Sequence, residues 1–362
     1  MTTIFIDGAV GTTGLEIRER LAGRTEINQI ILPEEKRKDE AARREALNDA
    51  DIVILCLPDD AAKEAVSLID NDRTRVIDAS TAHRVAPGWV YGFPEVSGRE
   101  AVANAMRVSN PGCYSTGFIA LVAPLVKAGL LPADWPYTCN AVSGYSGGGK
   151  AMIAEFEAGT PPTAWRTYAL GLAHKHVPEM QDRCGLTHAP LFAPAVANLN
   201  RGMIVDVPLM TGAMPTKPSA DALRDALKVF YGGSALVSVV DGFDEANLLI
   251  ERCSGTDRLD LFVFGRADGT QARLVAALDN LGKGASGAAV QSMNLMAGLP
   301  ETAGLRPRPP PPFPGRAPWA PPRPPRFTPL GGSGPAGGVC RRPGPPPPMR
   351  PRHANPTSGS RE

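Results

Sequence analysis

Short apolar runs and stretches with helical spacing alternate along the first eighty residues. Runs that predict strands stand at 3–7, 27–32, 51–58 and 74–80, and amphipathic stretches follow the first and third of them. The run DIVILCLP at 51–58 is almost wholly apolar, which is typical of a strand covered on both faces. Because strand and helix alternate with short connections, we predict an α/β fold with a Rossmann-like, doubly wound parallel sheet.

A loop of small residues joins the first predicted strand to the first predicted helix. It contains Gly8, Gly11 and Gly14, with Thr12 and Thr13 between the last two. Small residues at this place let the backbone approach a pyrophosphate, whose charge is met by the helix N-terminus. We therefore expect these five residues to bind a dinucleotide; the alternative is a plain glycine turn.

The residues after the second predicted strand have mixed charge. Glu34 and Glu35 are followed by Lys36, Arg37 and Lys38. An acid at this place binds a ribose 2′-hydroxyl, whereas a cation binds a 2′-phosphate. We predict NADP, bound through Lys36 and Arg37; the alternative is that the cluster is only a solvated loop.

A single cysteine follows an Asn-Pro-Gly turn in the segment SNPGCYSTG, residues 109–117. Pro111 and Gly112 predict a tight turn, and the apolar spacing after them predicts a helix. Cys113 would then lie at a helix N-terminus, so we expect a thiol pKa below the ~8.5 of a free thiol. Since cysteine also packs well as a small apolar residue, the local pattern leaves both a nucleophile and a buried filler open.

Two of the five histidines, His174 and His176, stand in the segment GLAHKHVPEM, residues 171–180. Pro178 disfavours helix just before it, so the two histidines would share a face of an extended segment. A zinc site lacks a third ligand at a recognisable spacing, and a structural pair is the second alternative. We favour a general acid/base that serves Cys113, because a thiol nucleophile needs a proton partner, and we predict no metal.

Two further segments offer groups that fit an anionic substrate. Arg84 follows the fourth predicted strand, where it would clamp a phosphate or a carboxylate with two hydrogen bonds. Ser143 and Gly147 belong to the glycine-rich segment NAVSGYSGGGK, whose backbone amides would form an anion nest. The alternative for that segment is a flexible surface loop.

The second half of the chain predicts another α/β domain. Strands are expected at 203–210, 234–242 and 258–266, with a helix at 219–233. Residues 274–299 then predict a strand, a Gly-Lys-Gly loop and a helix of small residues. Such a helix packs closely on a neighbour, and we expect that neighbour to be the nucleotide domain.

Charge and composition restrict the remaining function classes. The 362-residue chain has a net charge of +1, but residues 306–362 hold ten arginines, one acid and 20 of the 37 prolines. This tail therefore carries +9 and the remainder −8. A tail of that composition cannot build a core, and we predict that it is a disordered, unselected extension. The alternative is a tail that binds RNA or an SH3-like domain.

Several partners and compartments are disfavoured by the same numbers. An acidic body gives no footprint for nucleic acid, and no apolar run approaches the roughly 20 residues of a membrane helix. The six cysteines are scattered without paired spacing. We therefore expect a cytoplasmic protein with reduced thiols that acts on a small molecule, without nucleic-acid or membrane partners.

Five motifs in order resemble the N-acetyl-gamma-glutamyl-phosphate reductases of the shorter bacterial type. They are the loop with Gly8, Gly11 and Gly14, then NPGCYSTG, SGYSGGGK, HKHVPE and KGASGAAVQSMNLM. The resemblance covers residues 1 to about 305 and implies a semialdehyde-dehydrogenase-like fold. It implies an NADP-binding domain at 1–112 completed by 284–305, a catalytic and oligomerisation domain at 113–283, and the tail at 306–362.

The same resemblance implies an activity. The expected reaction belongs to arginine biosynthesis and reduces N-acetyl-glutamyl phosphate to N-acetyl-glutamate semialdehyde with NADPH through a cysteine thioester. Cys113 would be the nucleophile, His176 or His174 the acid/base, and Asn294 a nicotinamide contact, in a homodimer or homotetramer. Two alternatives stay open: an aspartate-semialdehyde dehydrogenase with the same covalent logic, and a non-catalytic NADP-binding redox sensor.

Overall fold

Two β-sheets organise the described part of the chain. The structure is a computed structural model, and it describes residues 1–243 and 246–307. The predicted disordered tail lies outside the described residues from residue 308 onward.

The first sheet is wholly parallel and confirms the predicted Rossmann-like arrangement. Its strands are β1 (Thr2–Asp7), β2 (Ile27–Ile30), β3 (Ile52–Leu55), β4 (Arg75–Asp78), β5 (Val90–Tyr91) and β6 (Arg107–Ser109). Its helices are α1 (Thr12–Leu21), α2 (Glu40–Asp49), α3 (Asp59–Ser67), α4 (Pro94–Ser97) and α5 (Arg99–Asn104). The order β2-β1-β3-β4-β6-β5 reverses direction at β1, which opens a ligand crevice at the carboxyl ends of β1 and β3.

The second sheet is mixed and confirms the predicted second α/β layer. Its strands, in the order β11-β12-β13-β10-β7-β9-β8, are β7 (Thr138–Gly144), β8 (Trp165–Thr167), β9 (Leu191–Ala197), β10 (Met203–Leu209), β11 (Val237–Val239), β12 (Leu259–Gly265) and β13 (Ala272–Leu278). The helices after β6 are α6 (Cys113–Lys127), α7 (Gly149–Glu157), α8 (Val177–Cys184), α9 (Ala220–Phe230) and α10 (Gly287–Met296). A π-helical turn, Gly282–Ser286, precedes α10 where the sequence predicted a Gly-Lys-Gly loop.

Helix α6 begins at Cys113 and lies directly on the second sheet. Its side chains are buried from Tyr114 to Leu125, as expected of a helix that is apolar all round. A Cβ added to Gly117 would lie 2.7 Å from Val205, so the helix and strand β10 leave no space between them. This packing fixes the first turn of α6, and Cys113 with it.

Helix α10 returns to the first sheet. Ala289, Val290 and Met293 are fully buried in one apolar cluster with Ile4 and Ile17 of that sheet unit. The interpretation of a small-residue helix packed on the nucleotide domain is therefore confirmed, while the exact domain boundaries stay a prediction.

The chain after α10 stays on the body as far as residue 306. The amide of Arg306 donates to Oδ2 of Asp257 at 2.8 Å, and its carbonyl accepts the Asp257 amide at 2.7 Å. The predicted tail thus begins with a residue that is fixed to the body.

Among the helices of the described residues, none is long and apolar enough to cross a membrane.

Candidate active site

The glycine loop after β1 leaves no room for side chains at two of its three glycines. Gly8 has φ +85, and a Cβ there would lie 2.3 Å from the carbonyl oxygen of Cys56. A Cβ on Gly14 would lie 2.6 Å from the carbonyl oxygen of Gly8. Helix α1 has no side-chain cap at Gly11, so its first amides are free to bind an anion.

A cavity of about 730 Å³ adjoins this loop on the side of β2. Four basic residues line it: Arg18, Arg37, Lys38 and Arg43. Arg37 was predicted to bind cofactor, whereas Lys36, predicted with it, is not among the lining residues. Arg43 is paired with Asp7 at 2.9 Å, and Arg37 is paired at 2.7 Å with Glu34, whose side chain is exposed. A phosphate could therefore use Arg18 and Lys38 directly, and Arg37 if it leaves Glu34. The bare loop, the free helix amides and these cations fit an NADP molecule.

A second cavity, of about 390 Å³, lies on the other side of the glycine loop and surrounds Cys113. Most of the predicted site residues line it together: Thr12, Thr13, Arg84, Cys113, Ser143, Gly147, His174 and His176. Residues far apart in the sequence therefore meet at one place, between the glycine loop and the N-terminus of α6. Sequence reasoning assigned no role to Glu179 or Tyr91, which pack behind this cavity.

Three polar side chains converge on the residue before the cysteine. A Cβ on Gly112 would lie 2.5 Å from Nη1 of Arg84, 2.5 Å from Oε1 of Glu179 and 2.6 Å from Nε2 of His176. Only glycine fits at this position. The turn therefore brings a cation, an anion and an imidazole within contact of the backbone that carries Cys113.

Glu179 is the centre of a buried hydrogen-bond network. Its Oε1 accepts from Nη1 of Arg84 at 2.7 Å, and its Oε2 accepts from the hydroxyl of Tyr91 at 2.7 Å and from the Gly112 amide at 3.1 Å. Nε of Arg84 also donates to the carbonyl of Asn110 at 3.1 Å. Arg84 thus lines the cavity, but its Nη1 and Nε atoms already donate to protein groups. Fewer N–H groups are therefore left for the predicted bidentate binding of a phosphate or a carboxylate.

The two histidines pack edge to face, with ring centroids 4.6 Å apart. The His176 amide donates to Nδ1 of His174 at 3.1 Å, which requires that a neutral His174 carries its proton on Nε2. Burial and then Arg84 hold the pKa of His176 well below its ordinary value. Burial and the nearby Lys175 lower the pKa of His174 as well. Both rings are therefore neutral at pH 7.

The predicted lowering of the Cys113 pKa is wrong for the substrate-free site. Burial raises the pKa of the Cys113 thiol to about 11, although Arg84 and the amides of the first helical turn act in the opposite direction. Desolvation outweighs these two effects because the N-terminus of α6 lies inside the protein, where Gly284 packs against Cys113 and His176 packs against Gly112. The thiol is therefore protonated at pH 7, and a base is needed to activate it.

The glycine-rich segment 140–150 has regular secondary structure, because it passes from β7 through a 3-10 turn at Tyr145–Gly148 into α7. Ser143 lies in β7, and Ser146 is buried and accepts a hydrogen bond from Nδ2 of Asn280 at 2.9 Å. A Cβ on Gly147 would lie 3.3 Å from Oγ of Ser143. Residues of this segment line the cavity around Cys113.

Asn294 does not reach this cavity, which corrects the prediction of a nicotinamide contact. Its Oδ1 accepts from Nη1 of Arg24 at 2.8 Å, and its Nδ2 donates to the carbonyls of Glu301 at 3.0 Å and Ala303 at 2.9 Å. The amide therefore links the chain after α10 to Arg24, which follows α1. Among the described residues, no group of three His, Cys, Asp or Glu side chains is arranged to hold a metal.

Comparisons with known proteins agree with this arrangement. The family model for the NAD-binding domain of semialdehyde dehydrogenases matches residues 3–105, and the model for their dimerisation domain matches residues 113–280. Two curated relatives are an N-acetyl-gamma-glutamyl-phosphate reductase of Brucella ovis and N-acetyl-gamma-glutamyl-phosphate reductase 2 of a Nostoc species. The first is 52% identical and covers 82% of this chain and 98% of its own length; the second is 48% identical and covers 83% and 98%.

Solved structures share the fold at low sequence identity. Aspartate semialdehyde dehydrogenase II of Vibrio cholerae superposes with a TM-score of 0.61 at 17% identity, over 82% of this chain and 98% of that one. The enzyme of Francisella tularensis gives 0.61 at 14% identity, over 82% and 100%.

Proposed function

The chain belongs to the N-acetyl-gamma-glutamyl-phosphate reductase family, and from this premise we propose how its residues carry out the reaction. The protein is an NADP-dependent oxidoreductase that converts N-acetyl-glutamyl phosphate to N-acetyl-glutamate semialdehyde and phosphate, a step in arginine biosynthesis. One observation carries the assignment of residues: Cys113 shares its cavity with two neutral histidines and with the first turn of the dinucleotide helix α1.

Cys113 is the nucleophile and His176 is its base. A thiol with a pKa of about 11 is almost entirely protonated at pH 7, so attack on a carbonyl requires proton removal. The Nε2 atom of His176 lies at the Gly112 turn, and the lowered pKa of the ring keeps it unprotonated and ready to accept. His174 then fits a role in holding substrate, since its Nε2 carries a proton to donate.

The acyl transfer uses the first turn of α6. The Cys113 sulfur forms a bond to the acyl carbon, the bond from that carbon to the phosphate oxygen breaks, and phosphate leaves. The amides of Cys113, Tyr114 and Ser115 have no partner within the helix and stabilise the oxyanion. The Gly112 amide is excluded from that role because it already donates to Glu179.

Reduction of the thioester follows at the same carbon. The bound NADPH supplies the hydride for this step. Protonated His176 then returns its proton as the thiohemiacetal collapses, which releases the semialdehyde and regenerates the thiol. Ser143 and Gly147 line the same cavity as the histidines, and we assign them to the substrate.

The reverse reaction tests this proposal directly. We expect NADPH to form from N-acetyl-glutamate semialdehyde, NADP and phosphate, and to form only when phosphate is present. Cys113→Ser should abolish the reaction and leave NADPH binding intact, because the glycine loop is a separate element. Turnover by the serine variant would exclude the covalent mechanism, and a complete lack of activity in the unmodified protein would favour a redox sensor.

The second semialdehyde alternative is tested in the same assay. Aspartate semialdehyde differs from the proposed substrate by a shorter chain and a free amino group. The aspartate-semialdehyde dehydrogenases share the fold at 14–17% identity, far below the 48–52% of the named reductases. We expect a much higher rate with the acetylated substrate than with aspartate semialdehyde. Equal rates with the two substrates would contradict the proposed substrate.

We further propose that the protein is a homodimer or homotetramer located in the cytoplasm. The match to a dimerisation domain over residues 113–280 supports an assembly of identical chains. Light scattering on the purified protein measures the number of subunits, and a monomer at micromolar concentration would contradict the proposal.

A further inference from the structure

A fully buried lysine lies in the π-helical turn that precedes α10. Lys283 is 1% exposed, and its Nζ lies 2.8 and 2.9 Å from the two carboxylate oxygens of Glu95 and 2.5 Å from Oε1 of Gln291. It also stands 4.8 Å from the ring centre of Phe93. Lysine is almost never buried to this degree unless it is paired, and the contacts use all its donors.

Stability alone is a weak reason for such a pair. The cost of removing two charges from water largely offsets their attraction, so a well-packed apolar pair is often as stable. The location of the pair is more informative, since π-helical turns occur frequently at functional sites. The turn that carries Lys283 is one such case because it touches the nucleophile.

The π-helical turn packs directly against Cys113. A Cβ on Gly284 would lie 2.9 Å from Cβ of Cys113 and 3.0 Å from the carbonyl oxygen of Asp279. The next residue, Ala285, accepts a hydrogen bond at 3.0 Å from Nδ2 of Asn110. A small movement of this turn would therefore change the space available to the thiol.

The segment 91–95 connects both walls around Cys113. At one end, the Tyr91 hydroxyl donates to Glu179, which holds the Gly112 turn. At the other end, Glu95 binds Lys283 and so holds the turn with Gly284. Burial disfavours the charged form of Glu95, but Lys283 more than offsets it and lowers the pKa of Glu95.

We propose that Lys283 is a positioning residue, which acts through Glu95 to hold Gly284 against Cys113 and thereby sets the attacking position of the thiol. Lys283 touches neither substrate nor cofactor in this role, and the inference rests on the proposed function of Cys113 as nucleophile. Loss of the pair should lower kcat and leave KM nearly unchanged. A displacement of about 1 Å at the attacking atom costs roughly 10²-fold in rate.

The test separates positioning from stability with three variants: Lys283→Met, Glu95→Gln and the double variant. Lys283→Met leaves the Glu95 carboxylate buried without its cation, so it should lower both Tm and kcat. The double variant removes both charges and should recover Tm but not kcat. Lys228→Met is the matched control, because Lys228 forms its ion pair with Asp241 at the protein surface.

A second readout does not depend on the substrate. The rate at which iodoacetamide alkylates Cys113, followed against pH by mass spectrometry, reports the position and pKa of the thiol in the free protein. We expect an altered profile in Lys283→Met and in the double variant, and an unchanged profile in Lys228→Met. Recovery of both kcat and the alkylation profile in the double variant would overturn the proposal, as would an unchanged kcat in Lys283→Met. Because alkylation is measured without substrate, an unchanged alkylation profile in Lys283→Met contradicts the positioning role even if the proposed reaction is wrong, whereas a missing turnover in the unmodified protein contradicts only the proposed reaction.

Discussion

Replacing Gly112 by alanine adds one methyl group at the most crowded point of the site. Gly112 has φ −75 and ψ 148, which alanine adopts without strain, so the effect is purely one of space. The new carbon would lie 2.5–2.6 Å from Arg84, Glu179 and His176, whereas ordinary contacts begin at 3.4 Å. Each neighbour would have to move by about 0.8–0.9 Å, and the Arg84–Glu179 bond prevents an easy retreat.

The expected size of the effect follows from that displacement. A shift of nearly 1 Å in the base relative to the thiol predicts a fall in kcat of about 10²-fold. Overpacking of roughly 2 kcal/mol predicts a Tm about 4–8 °C lower. NADPH binding should be unchanged, because the glycine loop of α1 is not touched.

The assay is steady-state reduction followed by NADPH absorbance, with Tm from calorimetry. Gly171→Ala is the matched control, since a Cβ there meets no atom within 4 Å and its φ is not in the left-handed region. A kcat of Gly112→Ala within threefold of the unmodified protein would refute the reasoning, provided that the variant is folded.

Four further predictions address the cofactor, the histidines and the tail. Replacing Arg37 and Lys38 together by alanine should narrow the preference for NADP over NAD in a fluorescence titration; an unchanged ratio would mean that other residues bind the 2′-phosphate. His176→Asn should lower kcat by about 10²–10⁴, whereas His174→Asn should mainly raise KM; the opposite pattern would exchange their roles. Because His176 must be unprotonated and its pKa is lowered, activity should fall on acidification only below about pH 6.5, and a midpoint above that value in the kcat/KM profile would argue against His176 as the base. Truncation after Pro307 should leave Tm and kcat unchanged, and a loss of either would show that the tail contributes.

The parallel sheet and most of the residues around the Cys113 cavity were predictable because their signals are local. A glycine loop between strand and helix, a Pro-Gly turn before Cys113 and a pair of closely spaced histidines each mark a backbone geometry that neighbouring residues determine. Helix α2 gave a weaker signal, since it buries only Ala46 and Leu47. Its polar sequence resembles a solvated segment.

The errors concern quantities that depend on burial by distant residues. The Cys113 pKa was predicted from the helix N-terminus alone, but desolvation by the walls around it decides the sign. Asn294 stands in a segment that resembles a family motif, yet the contacts with Arg24 and with the chain at 301–303 were not visible in its neighbours. The burial of Lys283 could not be predicted from its neighbours, because its partner Glu95 is nearly two hundred residues away in sequence.

The return of α10 to the first sheet has a consequence for how the protein is made on the ribosome. The strands of that sheet emerge early, but the helix that covers their apolar side is synthesised almost two hundred residues later. Domains generally fold as units, the earlier ones first during synthesis, and exposed apolar surface on incomplete units promotes aggregation. The nucleotide-binding unit cannot be completed before the second sheet is synthesised, because α10 belongs to its apolar cluster. We therefore expect the nascent chain to hold an open, chaperone-dependent sheet until residues 287–306 leave the exit tunnel, so that the first unit to be translated is among the last to be completed.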